Sequence, residues 1–155
     1  MKKRKTDCPL PIRYLLSAEA QRVCARFEGP RFGDSGYDLR ACESITIFQG
    51  EQILVPTGLT LEIPLGYVGM IKDRSSLALR GLFVHAGVID PSYRGQIQVL
   101  LQNQSKANYQ VEPGQKIAQL LILKSESLFP PIEVQGIEDM APSLRGMGAF
   151  GSTGE

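Results

Sequence analysis

The feature that most constrains this chain is a series of short segments in which apolar and polar residues alternate, each bounded by glycine or proline. Leu59, Leu61 and Ile63 alternate with Thr60 and Glu62. Ile97, Val99 and Leu101 alternate with Gln96, Gln98 and Leu100, and Ile45 and Ile47 with Ser44 and Thr46. A period of two sends successive side chains to opposite faces, which is the pattern of a strand with one buried face. The sixteen glycines and ten prolines lie scattered between these segments as turn punctuation and are not gathered into a linker. Many short strands at close spacing make the chain all-β, a sandwich or a barrel. Its 155 residues suit one domain large enough to bury a core.

Two segments depart from the alternation. Leu120, Leu121, Ile122 and Leu123 form a continuous apolar run, so that strand is expected to be covered on both faces. In a domain this small a partner subunit is one way to supply the second cover. Residues 75–80 read as one short helix, with a serine cap at its start and Gly81 as its stop. The last eleven residues, RGMGAFGSTGE, are rich in glycine and poor in core formers, so residues 145–155 are read as a mobile tail beyond a domain of residues 1–144.

Seventeen basic and sixteen acidic residues leave a net charge of +1. That balance provides no general attraction to nucleic acid or to a membrane surface, and neither is expected as a partner. Any anionic ligand must be held by local groups. Cys8, Cys24 and Cys42 are odd in number and lack Cys-x-x-Cys spacing, so neither a disulfide framework nor a zinc site is expected. Reduced thiols fit a cytoplasmic protein. The opening MKKRK is read as a solvated terminus. Thr6, Asp7, Pro9 and Pro11 interrupt any apolar signal segment after it, and a nuclear address remains an alternative. No apolar stretch approaches the ~20 residues of a membrane-spanning helix.

Three constellations carry chemistry. In DRSSLALRG (73–81), Arg74, Ser75 and Ser76 enter the expected helix, whose free N–H groups would add to a bidentate cation and two hydroxyls for phosphate. An ordinary capped helix with an exposed arginine reads the same way. In HAGVIDPSYRG (85–95), Asp90 stands between an apolar run and a turn, where a carboxylate can deprotonate a water. A turn aspartate bonded to its own backbone is the plainer alternative. Tyr93 can stack on a ring or cover the core. The tail offers a cation at Arg145, an aromatic face at Phe150 and flexible N–H donors at Gly151, Ser152 and Thr153. His85, the single histidine, is read as structural, and the cysteines as core or surface thiols.

Taken together and in order, five segments resemble the motifs of the trimeric dUTPase family: SGYDLRA (35–41), DRSSLALRG (73–81), GVIDPSYRG (87–95), GQKIAQLLI (114–122) and RGMGAFGSTG (145–154). Each is modest alone, but five in this order over nearly the whole chain are specific. The resemblance implies a jelly-roll-like distorted β-barrel, the β-clip of that family, and a homotrimer with three shared active sites. It implies hydrolysis of dUTP to dUMP and pyrophosphate, which limits uracil in DNA and supplies dUMP for dTMP synthesis. Asp90 is then the base that activates water. Arg74, Ser75 and Ser76 are phosphate ligands. The backbone of Gly87, Val88 and Ile89 lies in a hairpin that reads the uracil edge, and Gln98 is counted with the substrate-binding residues. Tyr93 sits under the deoxyribose, and Gln119 helps hold the phosphates. Arg145 reaches the γ-phosphate, and Phe150 stacks over uracil as the tail, with Gly151 and Ser152, closes. Mg²⁺ is the implied cofactor, carried by the substrate, with Asp38 bonded to its waters; the motifs supply no dense carboxylate cage, and Mg²⁺ characteristically keeps several waters.

Four positions depart from the commoner family pattern. Asp73 precedes Arg74 where proline or glycine is usual, and places a negative charge beside it that is expected to weaken phosphate binding. Ser92 replaces a second aspartate, Val84 an asparagine near the base, and Ala149 a tail glycine. The related dCTP deaminases are the nearest rival. They carry a glutamate where this chain has Leu100 and an arginine where it has Leu79, so an agent for proton transfer to a leaving amine is missing. A non-catalytic nucleotide-binding or regulatory protein on the same scaffold is the rival of another class, and it would be expected to have lost the base, the arginines or the tail.

Overall fold

The alternating segments become strands that lie in two larger sheets and one small one. A computed structural model describes residues 11–125 and 131–142. Ten strands occur among them: β1 (Arg13–Leu16), β2 (Tyr37–Arg40), β3 (Ile45–Ile47), β4 (Gln52–Glu62), β5 (Tyr67–Lys72), β6 (Leu82–His85), β7 (Val88–Ile89), β8 (Ile97–Asn103), β9 (Tyr109–Val111) and β10 (Lys116–Lys124). One sheet runs β1-β4-β8-β6, the second β2-β10-β5-β7, and β3 pairs with β9. The pairings are antiparallel. The mostly β architecture is the one the alternation anticipates, and it is jelly-roll-like, as the family resemblance implies.

The core lies between the two larger sheets. Ile97, Val99 and Leu101 turn inward from β8 while Gln98 faces solvent, and Leu59, Leu61 and Ile63 do the same around the end of β4. Leu39, Ile71 and Leu120 meet them from the second sheet. Burying side chains of this size contributes roughly 1.5–3 kcal/mol each, which is why the period-two pattern decides the layering. Buried Asn103 staples the adjoining loops: its amide donates to the carbonyls of Ile47 and Ala107, and its oxygen accepts from Ser105.

Two expectations need correction. The run 120–123 is not covered on both faces within one chain: Leu120 is buried, Leu121 and Ile122 are half-buried, and Leu123 is exposed. The single expected helix is joined by a second and by a 3-10 turn at Ile137–Asp139. Helix α1 (Ala18–Val23) begins where the Ser17 hydroxyl accepts from the Ala20 N–H, and it buries one residue, Ala20. One buried side chain in six residues leaves no periodicity to detect. Helix α2 (Ser75–Ala78) lies where expected, but its N-cap is Arg74, with no side-chain cap bond, and Gly81 at φ +83° ends the turn as foreseen. The boundary between residues 144 and 145 lies outside the described residues.

Helix α1 rests on the irregularity in β4. Gly58 has φ +66°, its carbonyl accepts from the Ser17 N–H at 2.8 Å, and a Cβ there would stand 2.5 Å from that of Ala20. Gly58→Ala is therefore expected to lower the free energy of urea unfolding by about 2–3 kcal/mol, from strain and overpacking together. Gly50, at φ +80° in open space, should lose only about 1 kcal/mol on the same change. Equal losses would show that α1 does not seat on Gly58.

Candidate active site

One group of motif residues gathers at the end of the second sheet. Strand β10 is paired on both edges, so Gln119 stands opposite Asp38 on one side and Lys72 on the other. Directly opposed residues share a face, which aligns the three across the sheet. A register shift between Lys116 and Ala118 brings Lys116 opposite Arg40. The Asp38 carboxylate accepts from Lys116 Nζ at 2.5 Å, with Arg74 Nη1 at 3.8 Å, all three groups being partly exposed. Arg74 also reaches the Lys116 carbonyl at 3.4 Å, and Arg40 donates to the Gly114 carbonyl at 2.7 Å. Gln119 donates to the Asp73 carbonyl at 2.8 Å, and a Cβ on Gly36 would come within 2.7 Å of its side-chain oxygen, so Gly36 is the space in which that carboxamide sits.

These residues line a polar cleft of about 620 Å³ together with Ser75 and Ser76. Five cations face it (Arg26, Arg31, Arg40, Arg74 and Lys116) against three carboxylates (Glu28, Asp34 and Asp38), a local excess of two positive charges in a chain of net charge +1. Lys116 directly opposite Arg40 is a like-charge pairing in a sheet, relieved by the Asp38 carboxylate against Lys116. The net positive lining gives the cleft the charge to hold anionic oxygen. The four residues of α2 are too short for a helix dipole to supply this character; the side-chain cations do so. Asp73 is likewise corrected: its carboxylate does not compete for Arg74 but accepts from the Val84 backbone N–H at 2.5 Å. Lys116 and Arg40 were not singled out by sequence reasoning. Their signal was available only as two cations inside motif segments, without the pairing that opposes them.

A second group lines a smaller recess of about 240 Å³: Val88, Ile89, Asp90, Tyr93 and Gln98, with Leu54, Gln96 and Ile97. The chain enters it through a corner at Ala86 (φ +56°) and Gly87 (φ +104°), which moves the backbone from β6 in one sheet to β7 in the other. A Cβ on Gly87 would lie 2.9 Å from the Ile71 carbonyl, whose own N–H donates to Gly87, so the close approach requires glycine. β7 pairs with β5 and not with the strand before or after it, so the expected hairpin is instead a crossing between sheets. Asp90 is exposed and opens a turn closed by the Tyr93 N–H on its carbonyl. Tyr93 donates its hydroxyl to the Gln96 carbonyl at 2.9 Å and lies over Gly95, where a Cβ would sit 2.4 Å from that oxygen.

The cleft and the recess share no lining residue. The register Gly69↔Ile89 leads Asp90 towards Val68, near the start of β5, while Arg74 follows its far end. Four strand steps from Val68 to Lys72 at about 3.3 Å each separate them by on the order of 13 Å before the Asp73–Arg74 turn is added. One chain therefore holds the two groups of motif residues apart. Arg145, Phe150, Gly151 and Ser152 lie outside the described residues. His85 bonds the Gln102 side chain at 2.7 Å, a structural contact.

Comparison with known proteins shows the family. Residues 28–154 match the family model for dUTPase. The chain belongs to the dUTPase family. A deoxyuridine 5'-triphosphate nucleotidohydrolase of Anaeromyxobacter sp. (strain Fw109-5) is 44% identical over 151 residues, covering 90% of this chain and 98% of that protein. Among solved structures, a mutant dUTPase of Staphylococcus bacteriophage 80alpha with dUpNHpp superposes with a TM-score of 0.79 at 26% identity, covering 94% of this chain and 99% of that one. A mutant dUTPase from phage phi11 of S. aureus, described with a structural Mg(II) ion, gives 0.73 at 25% identity, covering 83% and 99%.

Cys42 lines neither the cleft nor the recess. Burial, reinforced by the nearby Glu43 carboxylate, pushes the Cys42 thiol above its ordinary range. The thiolate is the reactive form, so alkylation of Cys42 should set in only at more alkaline pH than in an unfolded peptide of the same sequence. Iodoacetamide labelling followed by peptide mass mapping from pH 7 to pH 10 checks this; identical profiles would contradict the burial.

Proposed function

We propose that this chain hydrolyses dUTP to dUMP and pyrophosphate, and that each working site joins the recess of one subunit to the cleft of another in a homotrimer. The observation that carries the reading is the division of motif residues into two half-sites at opposite ends of β5. A base and the groups that grip the reacting phosphate must converge on the same few ångströms. A second copy of the chain brings them together, and the uncovered face of the β10 run gives it an apolar surface to meet.

In the recess, the backbone of Gly87, Val88 and Ile89 would read the base edge, Tyr93 would pack under the deoxyribose, and Gln98 would border the sugar. Asp90 accepts a proton from water as its oxygen attacks the α-phosphorus. The bond from that phosphorus to the bridging oxygen breaks, and pyrophosphate leaves. In the cleft, Arg74, Ser75, Ser76 and Gln119 take the phosphate oxygens. Arg145 would reach the γ-phosphate. Phe150 would close over the base with Gly151 and Ser152, excluding bulk water and strengthening each charge contact.

No group of three or more His, Cys, Asp or Glu residues could hold a metal ion among the described residues. A cleft whose carboxylates form no metal-holding cluster among the described residues suits a Mg²⁺ carried on the triphosphate, which would neutralise its charge, with Asp38 bonded to the metal's waters. Deamination lacks its agent: Leu79 projects into solvent at the end of α2, and Leu100 lies half-buried in β8. The free thiols of Cys24 and Cys42 support a reducing, cytoplasmic setting.

Two experiments test the reading. Ion-exchange analysis of incubations with dUTP, dCTP, dTTP and UTP plus Mg²⁺ should show dUMP and pyrophosphate from dUTP alone, with Asp90→Asn slower by roughly 10²–10⁴-fold. Turnover of dCTP would move the protein to the deaminases. For subunit sharing, Asp90→Asn and Arg74→Ala chains are each expected to be nearly inactive. Co-refolded at equal amounts, they should recover about a quarter of wild-type activity, since random assembly of a closed oligomer pairs an intact recess with an intact cleft that often. No recovery would place both half-sites within one chain.

A further inference from the structure

We propose that Asp73 is a positioning residue for the phosphate half-site, acting from both sides of one residue on Arg74, Ser75, Ser76 and Gln119, the cleft side chains assigned to the phosphate oxygens. This rests on the reading of the cleft given above. The Asp73 carboxylate accepts from the Val84 N–H at 2.5 Å, a partly buried bond across a separation of eleven residues. The loop it closes contains Arg74, Ser75 and Ser76. The Asp73 carbonyl accepts from the Gln119 side-chain amide at 2.8 Å, which fixes a cleft group that comes from β10. The backbone that follows directly orients Arg74, the N-cap of α2.

The need for such a brace follows from the local structure. α2 has four residues and no side-chain cap bond, so it does little to hold its own first turn. Ser75 and Ser76 are exposed and have no packing to orient them. A charge-assisted acceptor on a strand N–H is among the stronger single contacts available to a loop. Val84 is a fixed anchor because β6 is paired with β8 along its length. The carboxylate that stands before Arg74 is turned to the Val84 N–H by this bond, and Asp73 is not among the residues that line the cleft.

The test uses Asp73→Ala and Asp73→Asn. Asparagine retains a side-chain oxygen for the Val84 N–H; alanine does not. Asp73→Ala should lower kcat/KM for dUTP about tenfold or more, while inhibition by deoxyuridine, which lacks phosphates and engages only the recess, stays within twofold of wild type. Asp73→Asn should restore kcat/KM to within threefold. An alanine variant with wild-type kcat/KM overturns the proposal. So does one that loses deoxyuridine inhibition in step with turnover, because that marks general unfolding of the site, as does an asparagine variant no better than alanine. Should the wild type fail to hydrolyse dUTP, the parent reading falls instead. Calorimetric titration with pyrophosphate then decides the present one: about tenfold weaker binding in Asp73→Ala supports it, and unchanged binding refutes it.

Discussion

Strand β10 is hydrogen-bonded on both edges, and the phosphate cleft depends on that. Pairing with β2 sets Gln119 beside Asp38, and pairing with β5 sets it beside Lys72, one step before the loop that carries Arg74. The alternate residues Ala118 and Leu120 are buried on the core side of the same strand, with buried Ile117 at the register shift. A slip of one residue would turn Gln119 into the core and Leu120 out to the cleft. The apolar packing that stabilises the sheet therefore also enforces the register of the site. The same bulge that interrupts the β2–β10 pairing places Lys116 against Asp38.

The second constraint is the corner at Ala86–Gly87. It carries the chain from the outer strand of one sheet to the outer strand of the other, using two residues in the left-handed region and a glycine pressed against Ile71. Left-handed backbone disfavours side chains, so such a corner persists only where packing on both sides demands it. Its effect is to deliver Asp90 and Tyr93 to the end of β5 remote from Arg74. On the function proposed above, this separation of base from phosphate ligands makes assembly part of catalysis. It also explains why a small domain leaves an apolar run on β10 only partly covered.

Much of the fold was legible because period-two burial is a local property. Leu59, Leu61, Ile63, Ile97, Val99 and Leu101 are all buried where their alternation indicated. Helix α1 was not legible, since its hold on the fold is one alanine against Gly58, a contact between residues 38 positions apart. The short helix at 75–78 was legible in place but not in mechanism: its serines do not cap it. The hairpin expected around Gly87–Ile89 failed for a related reason. Glycine and an apolar pair announce a turn and a strand, but nothing local says which sheet the strand will join.

The amino-acid sequence by itself determined the residue types available for chemistry and their order: a turn aspartate, an arginine with two serines, a glutamine within an apolar strand, and a glycine-rich end. Those are identities, and they survive any arrangement of the chain. Only the tertiary structure decided which of them meet. It joined Asp38 and Gln119 from two strands with Arg74 from the turn before α2, set Lys116 and Arg40 face to face, and turned Asp73 away from its neighbour to the Val84 backbone. It also held Asp90 apart from the phosphate ligands. The physical reason is that strand register and sheet order arise from non-local hydrogen bonds and shared burial, whereas a charge or a turn is written one residue at a time.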